Sequence, residues 1–223
     1  MRRGVLIGML AVACVGVGAG ALAASPPAFH SLVQPVPAYL RTQMVRSTWH
    51  RGCPVALAQL RVLRMTYWGF DRRVHTGGLV TNQHAAGPLR EVFRRLFEVR
   101  FPIHSMSLDD VYGARRKHPR IEDQTASFEC RNAAASPCPG TSPTHHWSMH
   151  AYGEAIDVNP IENPYTGCGV TRTKASIPYL DRSRRRRGMV TPAVVAAFRS
   201  IGWGWGGGWT SVKDYMHFSV NGH

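Results

Sequence analysis

The stretch HHWSMHAYGEAIDVNP, residues 145–160, gathers three histidines and two carboxylates into sixteen positions. His150 and Asp157 stand seven apart, with Gly153 between them. A metal site is one reading, and a polar loop entering an ordinary strand is the other. His146 and His150 have the spacing of an HExxH metalloprotease helix, but Trp147 stands where the Glu belongs and Gly153 would stop such a helix early. EAIDVN alternates instead. In a strand, Glu154, Ile156 and Val158 face one way and Ala155, Asp157 and Asn159 the other. A catalytic zinc needs three protein ligands and an open position. The third is available in WTSVKDYMHFSV, where His217 and Ser219 share one face of an alternating run and Asp214 lies three residues before His217. On residue types, Zn²⁺ would be held by His150, Asp157 and His217, and Asp214 would take a proton from the attacking water. The chain has 11 histidines, so spacing alone does not choose between the two readings.

Both stretches resemble one family. SMHAYGEAIDVNP fits the SxHxxGxAxD motif of the D-Ala-D-Ala carboxypeptidase family of zinc metallopeptidases at Ser148, His150, Gly153, Ala155 and Asp157. WGWGGGWTSVKDYMHFS is similar to that family's closing motif, and GFDRRVHTGGLV and SFECR look closer to its L-Ala-D-Glu endopeptidase branch. The resemblance spans roughly residues 45–220. It implies that His150, Asp157 and His217 bind zinc and that Asp214 is the general base. It implies an upstream arginine that polarises the scissile carbonyl; Arg131 is the candidate, a plain surface arginine the alternative. Ser127, Ser148 and Trp205 are the candidate substrate contacts.

The implied fold is α+β, a hedgehog/DD-peptidase-like single domain whose small antiparallel sheet carries the zinc site. The implied substrate is a peptidoglycan stem peptide, cut at D-Ala-D-Ala or at L-Ala-D-Glu. The competing functions are a non-catalytic cell-wall-binding module and a basic nucleic-acid binder.

The elements that must position these residues are legible in part. VALAQLRVLRM reads as a short helix leading into a strand, and Gly77-Gly78 in GFDRRVHTGGLVTN reads as a hairpin turn. Leu89, Val92, Phe93, Leu96 and Phe97 form the stripe of a core-facing helix, with Pro88 expected in its first turn. Residues 101–113 read as a strand and turn, and residues 113–127 as loop. TPAVVAAFRSIGW is a second helix, with Thr191 as N-cap and Pro192 at its first position. A GxGxxG match at Gly202, Gly204 and Gly207 lacks the strand before and helix after that a phosphate loop needs. There the glycines serve tight turns, while Trp203, Trp205 and Trp209 fill the core or wall the cleft.

Of the 223 residues, residues 1–24 read as a secretory signal peptide: two arginines, an apolar run, then small residues. Cleavage and release are favoured over an anchored product, so the expected location is extracellular, periplasmic or wall-associated. Residues 25–44 read as a Pro-rich arm and 45–223 as the peptidase domain. The net charge of +14 suits nucleic acid or an anionic envelope polymer. Export argues against nucleic acid, and Arg184–Arg187 read as a solvated loop or a contact for an anionic wall polymer. Nothing in the sequence sets an oligomeric state. Cys53, Cys130, Cys138 and Cys168 remain after cleavage, an even number that suggests two disulfides. Cys130 with Cys138 is the favoured pair, because a short loop containing Pro137 separates them. Without a CxxC pair, a cysteine zinc site is disfavoured.

Overall fold

Strand β2 (Leu60–Gly69) is the spine of the first sheet, pairing antiparallel with β1 (Ser31–Pro35) and with β3 (Val74–Asn82). The computed structural model describes residues 27–109 and 123–223. Strand alternation sends Leu63 and Met65 to one face of β2 and Leu60 and Val62 to the other. Both faces are covered. Leu40 and Met44 of α1 (Ala38–Val45) pack on the second, with Phe128. Helix α2 (Gln83–Glu98) packs Leu89, Val92, Phe93 and Leu96 on the first. The segment read as a Pro-rich arm thus lies on the domain as β1 and α1. β4 (Pro102–Ile103) pairs parallel with the end of β2.

Helix α3 (Pro192–Arg199) starts as expected, with the Thr191 hydroxyl accepting from Val194 N–H at 3.4 Å. The small second sheet has the order β5 (Ala155–Asp157), β10 (His217–Ser219), β8 (Gly204–Trp205), all antiparallel. It docks on the shared core through Ile156 and Phe218, both fully buried. The Phe218 ring stacks on Phe198 of α3 with 3.9 Å between centroids. Truncating such a ring costs about 3–5 kcal/mol, so Phe218 is the anchor that fixes the height of β10. A third small sheet has the order β7 (Val170–Thr171), β6 (Tyr165–Gly167), β9 (Lys213–Asp214). The α+β class is as expected. No helix among the described residues is long and apolar enough to cross a membrane. The leader expected at residues 1–24 and the loop expected at 113–122 lie outside the described residues.

Three local expectations are corrected. Gly77 and Gly78 lie inside β3, and the hairpin turns at residues 70–73, where Arg72 takes φ 64°. The glycines answer a close approach instead: a Cβ on Gly77 would sit 2.2 Å from the Met106 carbonyl, which accepts from Gly78 N–H. Helix α2 begins at Gln83, so Pro88 lies beyond its first turn; Asn82 caps it by accepting from His84 N–H at 3.1 Å. The disulfides are Cys53–Cys130 and Cys138–Cys168. Cys130 N–H donates to Thr48 O, which carries the cysteine toward the loop that bears Cys53. Cys138 meets Cys168 at the corner between β6 and β7, where Cys168 takes φ 53°. Tertiary placement overrides the short separation of Cys130 and Cys138.

Candidate metal and catalytic site

His150 sits in a short 3₁₀ turn, Met149–Tyr152, and is buried at the edge of the cleft. Ser148 caps the turn, its hydroxyl accepting from His150 N–H at 3.3 Å. Gly153 ends it at φ 67°, where a Cβ would stand 2.6 Å from Asn82 N. Both the left-handed backbone and the lack of space call for glycine. The turn is clamped from β3: Thr81 Oγ1 donates to Gly153 O, Asn82 N–H to Gly153 O, and the Asn82 side-chain amide to Tyr152 O.

Asp157 ends β5 and faces His217 directly across the antiparallel pair with β10. The outer edge of β5 is held by Ala126, which exchanges both backbone hydrogen bonds with Asp157. The next residue, Ser127, donates its hydroxyl to Ala155 O and accepts from His150 Nδ1 on its own carbonyl at 2.6 Å. A carbonyl can only accept, so His150 Nδ1 carries the proton and Nε2 presents its lone pair.

That lone pair completes a triangle. His150 Nε2 to His217 Nδ1, His150 Nε2 to Asp157 Oδ1, and His217 Nδ1 to Asp157 Oδ1 are each 3.2 Å. Two ligand atoms at about 2.0–2.1 Å from a tetrahedral Zn²⁺ lie about 3.3 Å apart, so the spacing fits that ion. Burial pushes the Asp157 carboxyl up, but His150 and His217 outweigh it and hold the pKa well below the usual carboxylate range. Two imidazoles and a carboxylate facing one another below the surface are a donor set that a cation satisfies.

Asp214 lies beside this triangle, on β9 opposite Tyr165. Its Oδ1 is buried and has no hydrogen-bond partner among the described residues. Burial, and then the Asp157 carboxylate, push its pKa up to about 7, while His217 and Arg131 pull the other way. Gly206 makes room for it: a Cβ there would meet Asp214 O at 2.7 Å.

These residues line one cleft of about 270 Å³. Arg131 is on its wall, with Nε donating to Glu129 at 3.0 Å and the Ser148 N–H bound to its carbonyl. Ser148 also lines the cleft. Two expected substrate contacts do not. Ser127 is 2% exposed and acts from behind, through its carbonyl on His150. Trp205 faces away, packing near Phe218 and donating its indole N–H to Tyr215 O. The tryptophan on the cleft wall is Trp209, with its indole N–H held by Gly222 O. Tyr165 and exposed His146 also reach the wall. Trp209 is one of the three tryptophans that the sequence leaves between core and cleft wall, and no pattern in the sequence marks Tyr165. The second cluster of ligand types, His50 with Cys53 and Cys130, is closed to metal by the disulfide.

Residues 141–220 match the family model described as D-alanyl-D-alanine carboxypeptidase, which supports the resemblance drawn from the two motifs. No curated protein and no solved structure matches the chain.

Proposed function

From the site and from the match of residues 141–220 to the D-alanyl-D-alanine carboxypeptidase family model, we propose that the protein is an exported zinc-dependent peptidase of peptidoglycan stem peptides. The observation that carries this reading is the 3.2 Å triangle of His150, Asp157 and His217 with Asp214 at its side. Those three residues would hold Zn²⁺. When bound, the ion supplies a Lewis acid that polarises a carbonyl and makes water more acidic. The chain's own groups do the rest. His150 is held in its donor tautomer by the Ser127 carbonyl. Asp214 accepts a proton from the attacking water and returns it to the leaving amine. Arg131, kept in place by Glu129, offers positive charge to the carbonyl oxygen as negative charge develops there.

The fold we assign is the hedgehog/DD-peptidase type, and the leader we read at residues 1–24 would be cleaved on export. The two disulfides favour an oxidising compartment. A wall-binding module that keeps the fold would need no proton acceptor beside the ligands, so Asp214 favours catalysis. Incubating purified muropeptides with the mature protein and massing the products tests the reading. Loss of a terminal D-Ala identifies a carboxypeptidase, and a split between L-Ala and D-Glu an endopeptidase. Bound zinc with no cleavage of any stem peptide would leave the binding module.

A further inference from the structure

The arginine-rich stretch DRSRRRRG is not part of the cleft, yet it does not simply trail into solvent. It folds over a second concavity of about 200 Å³, lined by Arg182, Arg185, Arg186, Thr191, Trp205 and Tyr215. No carboxylate is among its lining residues. The carboxylate of the loop itself, Asp181, is engaged by Ser183 and Arg184.

The three arginines are differently prepared. Arg182 is fixed: its guanidinium donates to Glu162 O and Asn163 Oδ1 and lies 4.4 Å over the Tyr215 ring. Burial lowers its pKa, the mark of a cation partly withdrawn from water. Arg185 has no hydrogen bond or ion pair among the described residues, and the Arg186 guanidinium, without a hydrogen-bonded partner among them, lies 5.9 Å from the Tyr179 ring and within electrostatic reach of Asp181. Two forks without hydrogen-bonded partners among the described residues therefore stand beside one rigid cation, with Trp205 and Tyr215 on the same wall. Thr191, the N-cap of α3, adds the positive end of that helix to the rim.

We propose that this concavity is an anion site for a phosphate ester, separate from the peptidase cleft. Three guanidinium groups offer more donors than the two oxygens of a carboxylate accept, whereas a tetrahedral phosphate group presents oxygens to all three. The volume suits one phosphate group with part of its alcohol, so a phosphodiester polymer would be held one unit at a time. Consecutive residues of the chain divide between the two sites. Asp214 lines the cleft while Tyr215, the next residue, lines the arginine concavity. The proposal does not depend on the peptidase reading.

The test uses a short synthetic poly(glycerol phosphate), with inorganic phosphate as the second probe and acetate as the carboxylate control. Affinity is measured by calorimetry on the full mature chain at a series of salt concentrations, for wild type and three variants. Arg185→Ala/Arg186→Ala should weaken oligomer binding about tenfold or more and flatten its salt dependence, with zinc content unchanged. Arg51→Ala/Arg90→Ala, which removes two exposed arginines elsewhere, should change it less than about twofold. Thr191→Val, which keeps the side-chain shape, should weaken it measurably. Inorganic phosphate should compete and acetate should not. Equal losses in the two double variants would reduce the effect to diffuse charge and overturn the site. Competition by acetate at equal concentration would overturn the phosphate assignment, and no binding of either phosphate probe would overturn both.

Discussion

His217 Nδ1 lies 3.2 Å from Asp157 Oδ1, directly across the β5–β10 pair, although sixty residues separate them in sequence. Cross-strand register, not loop placement, sets this contact. A register slip of one residue would turn His217 into the core and Phe218 into the cleft. The stacked Phe218–Phe198 pair makes that slip costly.

If the triangle is the metal site, the protein holds one zinc per chain. His150→Ala, Asp157→Ala and His217→Ala should each lower metal content to well below one equivalent and abolish stem-peptide hydrolysis. Elemental analysis of dialysed protein decides this, and full occupancy in all three variants would remove the site.

Asp214 separates metal binding from proton transfer. Asp214→Asn is nearly isosteric and leaves the three ligands in place. It should keep zinc near wild-type content and lose about 10²–10⁴-fold in turnover, the usual effect of removing a general base. Zinc and hydrolysis measured on one preparation test it. Wild-type turnover would mean that Asp214 only shapes the turn before β10.

The disulfides close loops with separations of 77 and 30 residues. Each should stabilise the chain by roughly 2–5 kcal/mol, mainly by restricting the unfolded ensemble. Peptide mapping without reduction should recover Cys53–Cys130 and Cys138–Cys168, with no free thiol after denaturation. Cys53→Ser/Cys130→Ser should lower Tm and also activity, because Arg131 follows Cys130 directly. A Cys130–Cys138 fragment would contradict the fold.

Glu162 gives the protein a distinct pH dependence. Burial, and then the neighbouring Asp123, push its carboxyl up to about 8, with Tyr179 against it. The folded state therefore holds this proton more tightly than the unfolded chain does. The resulting stability is complete below pH about 4.5 and is lost as pH rises through about 8. Glu162→Gln, which cannot ionise, should match wild type near pH 4. It should exceed wild type by a few degrees in Tm at pH 9. Parallel melting curves across that range would show that Glu162 titrates normally.

The proposed metal donors were legible because their chemistry restricts residue type: few side chains can replace His150, Asp157 or His217, and one motif spaces the first two. What supports them was not. Ser127 orients His150 with a backbone carbonyl, which every residue carries. Gly77 is explained by the Met106 carbonyl, remote in sequence, and so read as a turn. Trp205 and Trp209 sit in a glycine-rich stretch without periodicity, so nothing local says which one meets the cleft. The cysteine pairing follows from where the segment after residue 123 is carried, a tertiary fact. Helices α2 and α3 were readable because their burial stripe is local.

Thr81 and Asn82 grip the His150 turn through three hydrogen bonds, and both lie outside the matched residues 141–220. The first sheet is thus a jig on which the reactive half is assembled. Residues 141–220 expressed alone would carry every donor and the β5–β10 pair but lack the clamp that holds the His150 turn against it. Transplanting this chemistry to another scaffold would require copying the end of β3 along with the motif.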